Sequence, residues 1–199
     1  MSVKLSQRSL IRKQTLEFDD SKLNIAWKSC GNKDEMDIPF ENILPNKFGV
    51  RKNSLSLFII SGFFYFISIL VFYLKITGED VEENAELLYI ILGTILLIVG
   101  IVTIENYWRI NLSNNNSIKI IKKSPNKHEV DTFIQKLFEK RNEYLMNNYG
   151  YINPNISYEN QLNNIVWLRK MKVLDDNSFQ AKKNELENIF SITSKKIGF

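Results

Sequence analysis

A chain of 199 residues, 44% hydrophobic and with a formal charge of +4, has room for one or two small domains and is too apolar to be disordered throughout. One cysteine, Cys30, excludes an intramolecular disulfide, and one histidine, His128, leaves a zinc site or a Cys/His pair without ordinary partners. No P-loop, GxGxxG, HExxH or GxSxG pattern occurs, so the expectation is no enzyme, no metal and no cofactor.

The leading residues MSVKLSQRSLIRKQ lack the apolar core of a cleavable signal peptide. From Thr15 apolar residues fall at every second position: Leu16 and Phe18, then Leu23, Ile25 and Trp27, around Asp19-Asp20-Ser21. That spacing predicts two half-buried strands joined by a short polar turn. Gly31-Asn32 breaks the chain again, and Met36, Ile38 and Phe40 make a third alternating run. Pro39 has no N–H to give a ladder, so this strand is expected at a sheet edge or bent. Ile43 and Leu44 precede Pro45, after which the chain heads for its most apolar stretch. Cys30 reads as a bystander beside the turn rather than a nucleophile. Asp19-Asp20, like Asp175-Asp176 further on, reads as turn and cap chemistry rather than an acid/base pair.

Leu55–Leu74 holds 20 residues with no charge, and Leu87–Ile104 holds 18 between Glu86 and Glu105. As helices these would be roughly 30 and 27 Å long, against about 30 Å of bilayer hydrocarbon. Residues 54–105 are therefore predicted to be a two-helix transmembrane hairpin. Residues 1–53 carry 10 Lys/Arg, residues 106–199 carry 15, and the acidic connector Lys75–Glu86 carries one. Basic flanks stay in the cytoplasm, so both termini are expected there, with the first span as an uncleaved insertion signal. Ser61 and Ser68 in the first span, and Gly93 and Gly100 in the second, are seven apart. A hairpin turning midway through the connector would set Ser61 against Gly100 and Ser68 against Gly93, letting the backbones approach closely.

Beyond the spans, Tyr107–Leu112 alternates, Ser113–Asn116 reads as a turn and Ser117–Ile121 as a strand. Asn126, with Glu129 three residues on and Pro125 just ahead, predicts a capped helix start, with His128 solvated in its first turn. Val130, Phe133, Ile134, Leu137, Phe138, Arg141, Tyr144 and Leu145 line one face of that helix. Three strands before the spans cannot cover their own apolar face, and two strands and a helix after them are equally incomplete. Residues 1–53 and 106–148 are therefore expected to complete one domain whose sequence the hairpin interrupts.

The strand order, the segment Ile38–Ile43 (IPFENI) and SIKIIKKSPNKHEVDTFIQKLFEKR (Ser117–Arg141) resemble bacterial pleckstrin-homology-like domains. The resemblance implies an α+β protein, with a strongly bent antiparallel sheet or barrel closed at one end by a C-terminal helix. Members of that family often carry a membrane hairpin, which implies the cytoplasmic (inner) membrane of a bacterium. After a linker, residues 149–157 (YGYINPN and two more), the tail at 158–190 is similar to the SHOCT module of two small helices. On that resemblance Leu162, Ile165, Trp167, Leu168 and Met171 face inward, Val173-Leu174-Asp175 makes the turn and Phe179, Lys183 and Leu186 fill the second helix. Lys172 stands where that family has glycine, and Asn177-Ser178 replace its acidic pair. So short a module buries too little to stand alone, so Trp167, Leu168, Phe179 and Leu186 are expected to dock on a partner or a second copy.

Arg51, Lys52, Arg109, Lys119, Lys122 and Lys123 flank the spans. They suit lipid headgroups or an acidic partner, and equally ordinary topology determinants on a solvated strand face. No exposed aromatics interleave with them in a nucleic-acid pattern. The expected function is a non-enzymatic membrane scaffold or regulatory interaction protein that self-associates or binds a protein partner. Alternatives are a lipid-headgroup sensor and an ancillary transporter subunit.

Overall fold

The structure, a computed structural model, describes residues 3–9, 12–29, 32–80 and 82–196. Cys30 and Gly31, read above as a bystander thiol and a chain break, lie outside them. The chain divides into two compact units, residues 1–48 with 108–199, and residues 49–107.

Four strands, β1 (Val3–Arg8), β2 (Arg12–Phe18), β3 (Lys22–Ser29) and β4 (Asn32–Pro39), form one antiparallel sheet in that order. The β2–β3 register pairs Phe18 with Leu23 and Leu16 with Ile25, so the alternating residues share the buried face. Asp19 closes the turn by accepting from the N–H of Ser21 at 2.9 Å and of Lys22 at 3.0 Å. Those bonds hold its carboxyl below the usual carboxylate range. Pro39 is the last residue of β4, at the sheet edge, where its missing N–H costs no ladder bond. Phe40 leaves the strand for one 3-10 turn, Phe40–Asn42, yet stays fully buried.

Two strands depart from the sequence reading. β1 was not located in the sequence, because the inward position Gln7 breaks the apolar alternation of Val3 and Leu5. β5 (Ile43–Lys52) runs straight through Pro45, where the sequence reading placed no strand. β5, β6 (Glu105–Leu112) and β7 (Ser117–Ile121) make a second sheet, with β5 at an edge that tolerates proline. Asn115 supplies the left-handed residue (φ 63°) of the β6–β7 turn.

Helix α3 (Lys127–Tyr149) covers these strands. Its cap differs from a reciprocal box in one detail: Asn126 Oδ1 accepts from the Glu129 N–H at 2.9 Å, while Glu129 Oε1 accepts from the Asn126 side-chain amide rather than its backbone. The two arms build one core: Leu5, Leu16, Phe18, Leu23 and Ile38 from the first meet Ile110, Ile118, Ile120, Phe133 and Leu137 from the second. Each such side chain, fully buried, contributes about 1.5–3 kcal/mol.

Buried polar groups stitch the arms together. Gln7 is 1% exposed; its amide donates to the Ile121 carbonyl at 2.8 Å and to the Ser124 carbonyl, and its oxygen accepts from the Ile121 N–H at 2.9 Å and from Gln14. One side chain thus imitates a strand partner for β7. Arg141, fully buried, donates Nε–H to the Ile43 carbonyl at 2.7 Å and an η-nitrogen to the Met171 carbonyl at 3.3 Å. Among the described residues no carboxylate pairs with it, and burial pulls its pKa down to about 10. Glu41 accepts from the phenols of Tyr144 at 2.9 Å and Tyr149 at 3.1 Å.

The tail forms α4 (Tyr158–Lys170) and α5 (Asp176–Lys196). Lys172, at φ 55°, occupies the left-handed position after α4, where the N–H of Val173 reaches the Leu168 carbonyl at 2.9 Å. Its ammonium reaches Asn46 Oδ1 at 2.9 Å, which ties the strained lysine to β5. Asp175 caps α5 by accepting from the Ser178 N–H at 2.7 Å, which lowers its pKa.

In the second unit, α1 (Leu55–Ile76) and α2 (Ala85–Val102) are long and apolar enough to cross a membrane, and only 11% of each apolar stretch is buried within the chain. Their buried residues are Ser61, Ser68, Gly93 and Gly100. The expected pairing of these four is corrected. Ser61 Oγ donates to the Gly93 carbonyl at 2.7 Å, Ser68 Oγ to the Glu86 carbonyl at 3.0 Å, and Gly100 faces Phe58 and Leu57. Ser61 therefore meets Gly93 instead of Gly100, a shift of two turns or about 10 Å. The cause lies in the connector: α1 continues to Ile76, and the chain folds back beside its end before α2 begins. The shift also draws Glu86 into α2, where Lys75 pairs with it at 2.9 Å.

Candidate functional site

The second sheet gathers cations around aromatic rings. Consecutive strand residues face opposite ways, so Lys47 of β5 and Trp108 of β6 share one face, and Phe48 and Arg109 the other. On the first face Lys47 Nζ lies 4.6 Å from the centroid of the Trp108 ring. Lys122, one residue past β7, places its Nζ 4.3 Å from the same ring. Such contacts contribute about 0.5–1 kcal/mol each at exposed positions. Lys47 also stands 3.6 Å from Asp131, near the start of α3. Trp108 rests on the core. Among the described residues its Nε1–H is shielded from solvent with no hydrogen-bond partner, and the Asp131 Oδ1, likewise shielded, faces only the Lys47 ammonium at 3.6 Å. On the opposite face the Arg109 guanidinium lies 5.9 Å from the ring of Phe48, which is 44% exposed.

The six basic residues singled out from the sequence thus separate. Lys122 and Arg109 enter the two cation–aromatic clusters. Lys119 is exposed, and its backbone carbonyl accepts from the Gln14 amide at 3.0 Å. Lys123 is exposed on unit one, and Arg51 and Lys52 are exposed on unit two. Lys47, Trp108 and Asp131 had not been picked out. The signal that could have found them is the alternation of Lys47 and Trp108 with their neighbours, hidden because Pro45 masked β5.

In the tail, Leu168, Phe179 and Leu186 are buried in a second core with Leu145, Ile152, Ile165, Met171 and Leu174. Trp167 is half-buried, its ring edge-on to Tyr149 at 5.0 Å. The cover that had been assigned to a partner or a second copy is supplied at these side chains by the chain's own α3, α4 and α5. Arg169 lies 4.7 Å over the Phe179 ring and pairs with Asp176 at 2.8 Å. Among the described residues no group of three or more His, Cys, Asp or Glu side chains could hold a metal ion.

Over its described residues the chain is an α+β protein with two antiparallel sheets and five α-helices, two of them apolar enough to be membrane spans. No protein-family model, no curated protein and no solved structure matches it.

Proposed function

We propose that this is a non-enzymatic integral membrane protein whose pleckstrin-homology-like domain, split by a transmembrane helical hairpin, works at the cytoplasmic face as a scaffold or regulatory interaction module. The observation that carries the reading is the single core assembled from both arms. A shared core requires both ends of the hairpin on one side of the bilayer, so α1 and α2 cross and return. The helices support the membrane reading by their bare apolar faces: hydrocarbon covers what the chain leaves open. Lys/Arg excess on both arms favours the cytoplasm for them and the outside for the connector. Two antiparallel sheets followed by a covering helix agree with the architecture that the family resemblance implies. Partners would meet the outer sheet faces and the exposed sides of α4 and α5, and a second copy of the chain is one such partner.

Topology is tested by single cysteines at Lys13, Glu83 and Tyr151 in a Cys30→Ser background. An impermeant maleimide added to intact cells should label the Glu83 position alone, and label the other two only after permeabilisation. Labelling of either arm from outside sinks the reading. Native purification in mild detergent tests the scaffold role, which fails if the protein emerges monomeric and alone.

A further inference from the structure

We propose that the outer face of the β1–β4 sheet binds an acidic helix of a protein partner along a row of four cations, Arg8, Lys13, Lys28 and Lys33. This rests on the interaction-module reading above and gives the partner a chemistry.

Register sets the row. Arg8 pairs with Lys13 across β1 and β2, Lys13 with Lys28 across β2 and β3, and Lys28 with Lys33 across β3 and β4. Residues directly opposite in antiparallel strands share a face, so the four stand side by side, and all are exposed. Like charges so placed destabilise a sheet, and here each cation faces the next. Lys33 has Glu35 at 2.6 Å; among the described residues no carboxylate pairs with Arg8, Lys13 or Lys28. The negative charge these cations lack on their own chain is what a partner can bring.

Spacing selects the shape of that partner. Strands lie about 4.8 Å apart, so Arg8, Lys13 and Lys28 span roughly 10 Å. Carboxylates at i, i+4 and i+7 of a helix span roughly 10.5 Å, whereas alternate residues of an extended strand would overshoot to roughly 13.6 Å. The neighbouring rank along the strands is small, Ser6, Thr15 and Ala26, with Glu35 at its end. Beyond it Glu17 pairs with Lys4 at 3.7 Å and Asp37 with Lys22 at 2.6 Å. The small rank leaves a trough between ranks about 13 Å apart, and a helix is about 10–12 Å across. A bilayer presents charge over an area, and past the row this face offers it only small side chains and carboxylates already in ion pairs. Among the described residues no aromatic ring stands on this face, so the bases of a nucleic acid would find nothing to stack on.

The test uses the full chain in phosphatidylcholine nanodiscs and a labelled alanine-rich helical peptide with glutamates at i, i+4 and i+7, its binding followed by fluorescence anisotropy at low salt. A control peptide carries the same glutamates scattered around the helix and should bind about tenfold more weakly. Lys13→Gln with Lys28→Gln should weaken the patterned peptide about tenfold and raise the melting midpoint of the free chain, because facing like charges are gone. Weaker binding by a more stable chain is not a failure to fold. Lys22→Gln, on the same face but outside the row, should change binding by less than about twofold. The proposal is overturned if both peptides bind alike, if the double variant binds as well as the parent, or if it melts lower. It is overturned as well if phosphatidylglycerol added to the discs displaces the peptide, or if a single-stranded RNA of equal charge binds more tightly. A chain that stays out of discs yet binds the patterned peptide overturns the membrane reading and supports the row, whereas an incorporated chain that ignores the peptide overturns the row alone.

Discussion

In the split unit, buried polar side chains join residues far apart in the chain: Gln7 to Ile121, Arg141 to Ile43, Tyr144 to Glu41. In the helical hairpin the buried positions are two serines and two glycines, and the large apolar side chains point outward. With α1 and α2 in a bilayer, as proposed above, the contrast follows from solvent. In water, apolar burial drives the arms together, and polar bridges then select one arrangement among many compact ones. In hydrocarbon, a leucine gains little by leaving lipid for protein, so close backbone approach and a few hydrogen bonds decide which residues meet. The alignment of α1 and α2 thus hangs on few atoms, while the alignment of the arms is determined many times over.

If that contrast holds, the largest single loss belongs to Arg141. Arg141→Ala should strip the Ile43 and Met171 carbonyls of their donor, leave a cavity and destabilise the split unit by about 3 kcal/mol. Denaturant unfolding in detergent, followed through Trp167, reads it; a loss below about 1 kcal/mol would show that the tail docks without this side chain. Gln7→Leu keeps volume but orphans both backbone groups of Ile121, for about 2 kcal/mol. The hairpin should respond by position instead. At Gly93 an added Cβ would lie 3.4 Å from the Ser61 carbonyl and the Tyr65 ring, whereas at Gly62 it would meet nothing within 4 Å. Gly93→Val should therefore cost about 1 kcal/mol and Gly62→Val close to none. Cysteines at Ser61 and Gly93 should crosslink in the Cys30→Ser background, and those at Ser61 and Gly100 should not. The reverse would restore the symmetric pairing.

The same contrast explains what could be read in advance. Alternation exposed β2 and β3, and the Asn126–Glu129 pair with its apolar stripe exposed α3, because in each case local chemistry and burial agree. β1 and β5 escaped because Gln7 puts a polar group on the buried face and Pro45 sits inside a strand; only the partner strand explains either. The four small residues of the hairpin were visible by spacing, but which of them meet depends on how the connector folds back, and no spacing encodes that. Lys122 and Arg109 stood out as charges. The clusters they join did not, since Lys47 reaches Trp108, and Phe48 reaches Arg109, only through the pairing of β5 with β6.

The smallest expected effect probes one polar bridge by pH. Tyr144 donates its phenol to Glu41, and that hydrogen bond, with burial and the neighbouring negative charge, raises its pKa above the ordinary 10.0. Tyr149 is raised as well, by burial first and by Glu41 second. Both protons are held more tightly in the folded chain than in the unfolded one. The resulting stability is complete below about pH 10, the ordinary tyrosine value, and drains away as pH climbs through the two raised values. Glu41→Gln keeps an acceptor but removes the charge. It should cost only about 0.5 kcal/mol at neutral pH, yet bring Tyr144 back towards its ordinary value while Tyr149, still buried, stays elevated. Absorbance at 295 nm during an alkaline titration separates the two phenols once Tyr149→Phe assigns them. If both fall together, Glu41 governs Tyr149 too, and the carboxylate, rather than burial beside Trp167, is what anchors the end of α3.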